Sequence, residues 1–308
     1  MKPPRPGWFG QVLMGLAAAT MLLPLAFMFT TALSQPGQSL RADGGLLALV
    51  WPTTWRWRNF ADVWIEVPFL RYYLNSLGVA LVITVGHVLT SASAAFAFSR
   101  LRWRGRDAVF LAYLATMMVP SAVTMLPNFI VVRFMPDVLT AVLPWIDWVA
   151  PRHLGPSLGW PAVGRLVGLD SYFALTVPVM FSAYGTFMLR QFFLGLPREL
   201  DEAAMLDGCG PGRTFFQIIL PLARPGLATL AVFTFIAAWG GLLWPLIVTS
   251  EDSLRTLPLG LQAFQGQYGT EWHLMMAAAL LMLIPTVVVF LVGQRFFVSG
   301  LTVGAVKG

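Results

Sequence analysis

The side chains that could carry chemistry are concentrated in one short segment, residues 197–208, with the sequence PRELDEAAMLDG. Proline opens this segment, three acids follow and glycine closes it. That order predicts a short helix, because acids are stabilised at the positive end of the helix dipole and glycine ends helices. Four residues fall on one face by helical spacing: Leu200, Ala203, Ala204 and Asp207. A small-residue face with a charged rim suits docking into a groove on a partner, and equally suits a surface loop that rests on its own protein.

A second short helix is predicted directly after the first, starting at Pro211 and stopped by Pro221. Its apolar side carries Phe215, Phe216, Ile218 and Ile219. Both predicted helices lie in the polar stretch 190–224, which separates two long apolar runs.

Several kinds of chemistry are missing from the sequence. Lysine occurs only at positions 2 and 307, so there is no G-x-x-x-x-G-K-[ST] phosphate loop, and any nucleotide hydrolysis has to belong to another subunit. The sequence also has no metal-ligand spacing and no G-x-S-x-G nucleophile motif. A membrane enzyme would need a catalytic constellation, so we expect a non-catalytic chain that binds no cofactor or metal itself.

The elements that hold this segment have the composition of a membrane protein. Hydrophobic residues make up 57% of the 308 and charged residues 11%, against about 45–50% and about 25% in an ordinary soluble domain. Six stretches contain no Asp, Glu, Lys or Arg: 6–40, 72–99, 108–132, 171–189, 225–250 and 272–294. The shortest has 19 residues and as a helix would extend about 28 Å, close to the roughly 30 Å of a bilayer's hydrocarbon core. The sequence therefore predicts an all-α integral membrane protein with six transmembrane helices.

The first apolar run has a second interpretation, because Lys2 and Arg5 precede it as they would in a secretory signal peptide. Residues 8–33 form a longer run than the roughly 7–15 apolar residues of a signal, so we interpret them as the first transmembrane helix. The single cysteine, Cys209, cannot form an intramolecular disulfide, and redox chemistry is not indicated.

The net charge of +6 could indicate a nucleic-acid partner, but its distribution along the chain indicates membrane topology instead. With the amino terminus inside, the inner side carries 12 of the 20 basic residues and five acids, while the outer side carries eight basic and nine acidic residues. Four arginines lie in one tight inner loop: Arg100, Arg102, Arg104 and Arg106. The positive-inside rule then predicts that both termini are cytoplasmic.

A proton- or ion-coupled carrier would bury ionisable groups at membrane depth, and this sequence has few. The apolar runs contain only His87 and, at the start of the last run, His273. A single histidine without a nearby carboxylate is a poor proton relay. We therefore expect His87 to pack against a neighbouring helix or to line a pore. Candidates for a substrate pathway, with helix-packing hydrogen bonds as the alternative role, are Thr124, Asn128, Ser182 and Tyr184.

Two outer connections are long, 34–71 and 133–170. The first carries Trp51, Trp55, Trp57 and Trp64. Tryptophan favours the membrane interface, so we expect interfacial anchoring more than stacking on a ligand.

The polar stretch 190–224 also carries a recognisable motif. Its residues Glu202, Ala203 and Ala204, then Asp207 and Gly208, then Ile218 and Pro221, resemble the E-A-A…D-G…I…P loop of membrane subunits in binding-protein-dependent ABC importers. The similarity extends over most of the chain, in segments 75–76 (NS), 98–106 (FSRLRWRGR), 220–222 (LPL), 244–246 (WPL), 255–261 (RTLPLGL) and 294–297 (QRFF). The final GAVKG resembles the tail of the smaller permease of the maltose-type carbohydrate uptake family.

The resemblance implies a type I ABC importer permease fold and a role for each matching residue. In that family the E-A-A loop forms coupling helices that sit in a cleft of the ATPase. The coupling residues here would be Glu199, Glu202, Ala203, Ala204, Asp207 and Gly208. The tail would contact the ATPase dimer through Gly304, Ala305, Val306, Lys307 and Gly308. ATP and Mg would be bound by the partner ATPase.

The sequence departs from the family pattern at three places. Cys209 stands where the family usually has alanine, a small change in volume. After Trp239 the family usually has asparagine and an acid, whereas this chain has 240–242 as Gly-Gly-Leu, which would alter a pore lining. The outer stretch 136–165 is longer than the family norm, and either contacts the external binding protein or is a neutral insertion.

The resemblance implies one half of a heterodimeric permease in the bacterial cytoplasmic membrane, with no nucleic-acid partner. Its partners would be a second permease subunit, ATP-binding subunits and an extracytoplasmic solute-binding protein. The cargo would be a sugar, an oligosaccharide or a related polyol; glycerol phosphate or another small solute is one alternative, and a secondary carrier acting alone is another. We expect a single transmembrane domain over 1–308, with core helices at about 72–294, the coupling loop at 190–224 and a cytoplasmic tail at 295–308.

Overall fold

The structure is a computed structural model that describes residues 7–37, 54–143, 145, 166–266 and 269–305. Most of the predicted 136–165 extension and Trp51 lie outside the described residues. The chain divides into two compact units: residues up to 70 with 260–284, and residues 71–259 with 285 onward.

The first unit begins with a long apolar helix, α1 (Trp8–Ala32), of 25 residues. Its side chains are exposed over most of its length and become buried only at Thr30, Thr31 and Ala32. An apolar helix exposed in this way requires lipid or another apolar surface around it.

A short helix, α2 (Asn59–Glu66), is attached to the end of α1 through one buried amide. Asn59 is fully buried, and its Nδ2 donates to the carbonyls of Ala32 at 2.8 Å and Ser34 at 2.9 Å. The predicted interfacial tryptophans Trp55, Trp57 and Trp64 are 44%, 61% and 43% exposed, and their anchoring role stays a prediction.

The next part of the chain contains α3 (Phe69–Ser99), α4 (Arg106–Ala115), a 3-10 turn (Thr116–Met118) and α5 (Ser121–Val142). The predicted third run, 108–132, is therefore two helices rather than one. Pro120 separates them, because the residue before a proline is pushed towards extended backbone, as Val119 is here. Helix α5 also continues beyond Arg133, so the predicted outer connection begins ten residues later than expected.

The predicted fourth run is a broken helix made of α6 (Tyr172–Thr176), a 3-10 turn (Val177–Val179) and α7 (Ala183–Leu194), with a bend of 44°. A serine caps each part: Ser171 Oγ accepts from the N–H of Ala174 at 3.0 Å, and Ser182 Oγ accepts from the N–H of Gly185 at 3.2 Å. These caps satisfy N–H groups that the start of a helix leaves without partners.

The polar stretch forms α8 (Glu199–Leu206), α9 (Pro211–Thr214), a π-helical turn (Phe215–Ile219) and α10 (Leu220–Leu222). The chain then bends by 77° into α11 (Arg224–Trp239), and α12 (Leu243–Val248) follows. The predicted fifth run is thus interrupted at 240–242.

The last elements are a 3-10 turn (Asp252–Leu254), α13 (Leu257–Gly260), a second 3-10 turn (Leu261–Phe264), the antiparallel pair β1 (Gln265–Gly266) and β2 (Gly269–Thr270), and α14 (Trp272–Ala305). Helix α14 contains Pro285 and continues eleven residues beyond the predicted run.

Four helices are long and apolar enough to cross a membrane: α1, α3, α5 and Trp272–Phe296 of α14. Two bent pairs, Tyr172–Val179 with α7 and Pro211–Leu222 with α11, raise the number to as many as six among the described residues. The predicted helical, membrane-spanning class of the chain is confirmed at this level.

The described residues of the second unit include two apolar cores, and α3 contributes to both. The first core contains Ala92, Ala95, Phe96, Leu189, Phe193, Phe215, Ile219, Ala223 and Leu230. The second contains Val79, Ile83, Val132, Ala174, Leu175 and Val248. Helix α3 therefore runs through both cores and connects them.

Polar side chains at the start of α3 hold the segment 252–257 against it. Asn75 Nδ2 donates to two carbonyls of this segment at 2.9 and 3.0 Å, and Asn75 Oδ1 accepts from the hydroxyl of Tyr172 at 2.7 Å. Ser76 Oγ accepts from the N–H of Leu257 at 2.6 Å. These bonds give the family-like residues at 75–76 a structural role.

Candidate functional site

Helix α8 is the predicted docking segment, and its two ends are built as the sequence suggests. It begins at Glu199 and carries three acids in its first turn. Gly208 has φ +73°, its N–H donates to the carbonyl of Met205 at 3.0 Å, and the N–H of Cys209 donates to Ala204 at 2.8 Å. This Schellman arrangement satisfies carbonyls in the last turn of the helix. It requires a residue with left-handed backbone angles, which glycine adopts readily. The predicted helix and its glycine end are confirmed.

The exposed side of α8 differs from the predicted docking face. Ala204 is only 3% exposed and Leu200 is half-buried, so the prediction of an outward face is wrong for these two residues. Met205 and Leu206 point outward instead, at 69% and 90% exposure. The remaining predicted coupling residues are exposed: Glu199, Glu202, Ala203, Asp207 and Gly208. Helical spacing defines faces, but it does not say which face turns inward.

The segment after α8 buries only part of its predicted apolar side. Phe215 and Ile219 are buried in the first core, whereas Phe216 is 65% exposed. Pro221 does not stop the helix as predicted, because proline is tolerated in the first turn of a helical segment and α10 begins one residue earlier. The helical path ends instead at Ala223, where α11 turns away.

Arg100, to which the sequence assigned no contact with α8, connects this helix to the rest of the unit. Arg100 directly follows α3, and its side chain is 5% exposed. Its guanidinium forms an ion pair with Asp201 of α8 and donates to the carbonyls of Phe193 and, at 2.9 Å, Leu196. No sequence spacing links positions 100 and 201, so the analysis of the sequence missed this pair.

Other arginines near this junction make simpler contacts. Arg190 Nε donates to the carbonyl of Phe98 at 3.2 Å, and its guanidinium lies over the Phe110 ring at 4.1 Å. Arg106 pairs with its exposed neighbour Asp107 at 2.9 Å, and this hydrogen bond lowers the pKa of that carboxyl.

A cavity of about 670 Å³ lies in the second unit, among α3, α5, the break between α6 and α7, α11 and α12. Three predicted pathway residues line it: Thr124, Ser182 and Tyr184. Asn128 is exposed and does not belong to the described lining. The volume is in the range of small-molecule sites, and the lining combines apolar side chains with a few polar groups.

His87 lines this cavity and packs against α7. A Cβ at Gly185 would lie 2.6 Å from His87 Nε2 and 2.5 Å from Ser91 Oγ, so the glycine allows the two helices to approach closely. Both polar atoms are buried and have no hydrogen-bond partner among the described residues. This geometry agrees with the predicted packing or pore-lining role of His87.

The departure from the family pattern at 240–242 falls at the same cavity. Gly241 is part of the lining, next to Trp244 and Pro245. Trp244 Nε1 donates to the carbonyl of Ala174 at 2.8 Å, which fixes the indole in the cavity wall. A glycine here presents backbone where the family pattern leads us to expect a polar side chain.

The predicted tail contact is described only in part. Gly304 and Ala305 belong to the end of α14. Val306, Lys307 and Gly308 lie outside the described residues, so the contact stays a prediction.

Comparisons with known proteins agree with this architecture. The chain is 35% identical over 301 residues to the sn-glycerol-3-phosphate transport system permease protein UgpE of Pectobacterium atrosepticum, with 95% of each chain covered. A structure of a bacterial ABC transporter involved in the import of the acidic polysaccharide alginate matches 94% of this chain and 96% of that one, with a TM-score of 0.74 at 20% identity. A structure of a bacterial alginate ABC transporter in complex with an alginate pentasaccharide-bound periplasmic protein matches 92% and 93%, with a TM-score of 0.60 at 13% identity.

The two structural matches show the fold of an ABC importer permease. A family model, binding-protein-dependent transport system inner membrane component, matches residues 87–303, which is more than half of the chain. That match includes the whole of α7 and α8 and most of the residues around the cavity. The chain therefore belongs to the family of inner membrane components of binding-protein-dependent transport systems, and it is a multi-pass permease subunit of an ABC importer.

Proposed function

We propose that this chain is one half of a heterodimeric permease, and that a separate ATP-binding subunit binds it at α8. The observation that carries the proposal is that α8 is firmly attached on one side and exposes two large apolar side chains, among charged ones, on the other. Asp201 and Ala204 hold it to the unit, while Met205 and Leu206 project outward. A helix that only covered its own protein would turn these large apolar side chains inward, so their exposure supports a docking surface.

The mechanism follows from that attachment. ATP binding would close the ATPase dimer, α8 would move with it, and the helices would switch from an inward-facing to an outward-facing state. A partner can shift such an equilibrium only through its different affinity for the two states, so α8 has to be rigid enough to transmit the difference. The Schellman end at Gly208 and the Arg100 ion pair supply that rigidity. The tail residues from Gly304 onward would form a second contact with the ATPase.

The proposed arrangement in the membrane has six spans in a single domain, with both termini cytoplasmic. Each bent pair then counts as one span, and α8 lies on the same side as the four-arginine loop. This side is cytoplasmic by the positive-inside rule, where an ATPase can reach α8. In this arrangement the chain itself is non-catalytic, and ATP and Mg are bound by the partner.

The cavity supports a neutral, hydroxyl-rich cargo such as a sugar, an oligosaccharide or a polyol. Hydroxyl side chains at Thr124, Ser182 and Tyr184 can exchange hydrogen bonds with such a solute. Among the described lining residues none is lysine or arginine, the side chains that usually bind phosphate. An extracytoplasmic solute-binding protein would deliver this cargo, as the family description indicates.

A second candidate cargo is glycerol 3-phosphate, because a relative at 35% identity carries that name. The second permease subunit would then have to supply the cations that this lining lacks. Uptake measured with neutral sugars, polyols and sn-glycerol 3-phosphate in the same reconstituted system separates the two candidates. Uptake of the phosphate ester alone would contradict the neutral-cargo proposal.

Coupling is tested by reconstituting the complete transporter in liposomes and measuring ATP hydrolysis and uptake together. Glu202→Lys reverses a charge on the exposed side of α8, and Gly208→Pro removes the left-handed helix end. We expect both variants to remain in the membrane while uptake per ATP hydrolysed falls by about tenfold.

The matched control is Glu251→Lys, the same charge reversal at an exposed residue of the predicted outer side. It should leave the uptake-to-hydrolysis ratio unchanged. Normal uptake by Glu202→Lys, or a purified complex that contains no ATP-hydrolysing subunit, would count against the proposed function.

A further inference from the structure

We propose that Arg100 is a positioning residue that locks α8 to the ends of α3 and α7, so that the three helices move as one body. This inference rests on the proposed function and adds to it the residue that transmits the movement. The evidence is a set of three acceptors around one buried guanidinium: the Asp201 carboxylate and the carbonyls of Phe193 and Leu196.

The position of the guanidinium suits the electrostatics of the two helix ends. The carbonyl of Phe193 lies in the last turn of α7, at the negative end of that helix dipole, where a cation is favourable. Asp201 lies in the first turn of α8, at the positive end, where an anion is favourable. One ion pair therefore stabilises the end of one helix and the start of the next.

The burial of the pair argues for a role in orientation. The Arg100 and Asp201 side chains are only 5% and 14% exposed. Buried ion pairs add little stability over apolar side chains of similar size, because desolvation offsets much of the attraction between the charges. A guanidinium, however, donates in a fixed planar fork, so three acceptors around it fix the direction of α8 relative to α7.

The two helices held by Arg100 also line the cavity. Helix α3 ends just before Arg100 and contributes Val79, Ile83 and His87 to the lining, while α7 contributes Tyr184. Movement of α8 is thus passed through Arg100 to two walls of the cavity. The ion pair is a direct contact between α8 and the ends of these two helices.

The test uses two variants that each remove one property of the Arg100–Asp201 ion pair. Arg100→Lys keeps the positive charge but loses the fork, and Asp201→Asn keeps the shape but loses the charge. Arg104→Lys, at an exposed arginine of the same loop, is the matched control. Each variant is reconstituted with its partners, and three quantities are measured: assembled complex, ATP hydrolysis and substrate uptake.

We expect each single variant to assemble and to lower uptake per ATP by about threefold or more, as substitutions along a coupling network do. The double variant should be no worse than the poorer single variant, because both changes open the same junction. Arg104→Lys should match the unsubstituted transporter.

Three results would overturn the proposal. One is an unchanged uptake-to-hydrolysis ratio in both single variants, and another is additive losses in the double variant. The third is a loss of assembled complex with a normal ratio in what remains, since that describes a purely structural residue. Failure of the proposed function itself is distinguishable, because the unsubstituted transporter would then show no ATP-dependent uptake at all.

Discussion

At the scale of single residues, Gly208 shows how one backbone angle fixes the end of α8, the proposed docking helix. Its φ of +73° lies in the left-handed region, and a Cβ there would meet no atom within 4 Å. The cost of any other residue is therefore conformational rather than steric, at roughly 1–2 kcal/mol for a residue with a Cβ. Gly210, two residues later, has φ −73° and equally open surroundings.

This difference predicts distinct outcomes for two alanine substitutions. Gly208→Ala should loosen the end of α8 and speed hydrogen exchange of the 208 and 209 amides by about tenfold, the equivalent of roughly 1.4 kcal/mol. Gly210→Ala should leave the exchange rates unchanged. The exchange rates are measured by mass spectrometry on the purified transporter. Equal rates in the two variants would show that the left-handed backbone angle of Gly208 does not stabilise the end of α8.

At the scale of elements, the crossing of α3 and α7 depends on small residues. A Cβ at Gly185 would lie within 2.6 Å of both His87 and Ser91, and one at Gly86 would lie 2.4 Å from the Met180 sulfur. Glycine at such points lets membrane helices approach closely, where packing replaces the hydrophobic effect as the driving force. The cavity lies beside this crossing, so the spacing of the two helices also sets its width.

Substitution at the crossing should therefore be costly. We expect Gly185→Ala to destabilise the transporter by about 1–3 kcal/mol through overpacking, visible as a lower thermal transition in detergent. Gly78→Ala in α3 is the control, because a Cβ there meets nothing within 4 Å, and it should be neutral or slightly stabilising. An unchanged transition for Gly185→Ala would mean that the two helices can separate freely.

At the scale of the whole molecule, the number of spans depends on the two bent pairs. If each pair is one span, both termini and α8 share the cytoplasmic side with the arginine loop. If the second pair turns back within the membrane, α8 keeps its side and only the segments after that pair change sides. If the first pair turns back, α8 and the arginine loop end up on opposite sides. The single cysteine, half-buried just after α8, reports directly on this difference.

A membrane-impermeant maleimide should label Cys209 in inside-out vesicles and leave it unlabelled in intact spheroplasts. Cys209→Ser should abolish the signal, and Glu251→Cys in that background should show the opposite pattern, because 251 lies on the predicted outer side. Labelling of Cys209 from the outside would remove the topology on which ATPase docking depends.

Local sequence patterns are sufficient to define the class of the molecule and the position of α8, the proposed docking helix. Long charge-free runs indicate membrane spans wherever they occur, because the cost of burying charge in lipid does not depend on neighbouring elements. The acids, alanines and glycine of 197–208 likewise determine a helix and its end locally. The four-arginine loop predicts an orientation for the same reason, since that rule counts charges and needs no contacts.

Which side of each helix is buried, and which distant residues meet, depends on the tertiary structure. Ala204 faces inward and Leu206 outward because of what α8 packs against, which helical spacing cannot specify. Arg100 and Asp201 are a hundred residues apart in sequence, and only the fold brings them together. The same holds for Thr124, Ser182 and Tyr184, which share a cavity while Asn128 does not. Contacts between distant parts of a chain depend on the packing of whole helices, and that packing is not encoded in any local pattern.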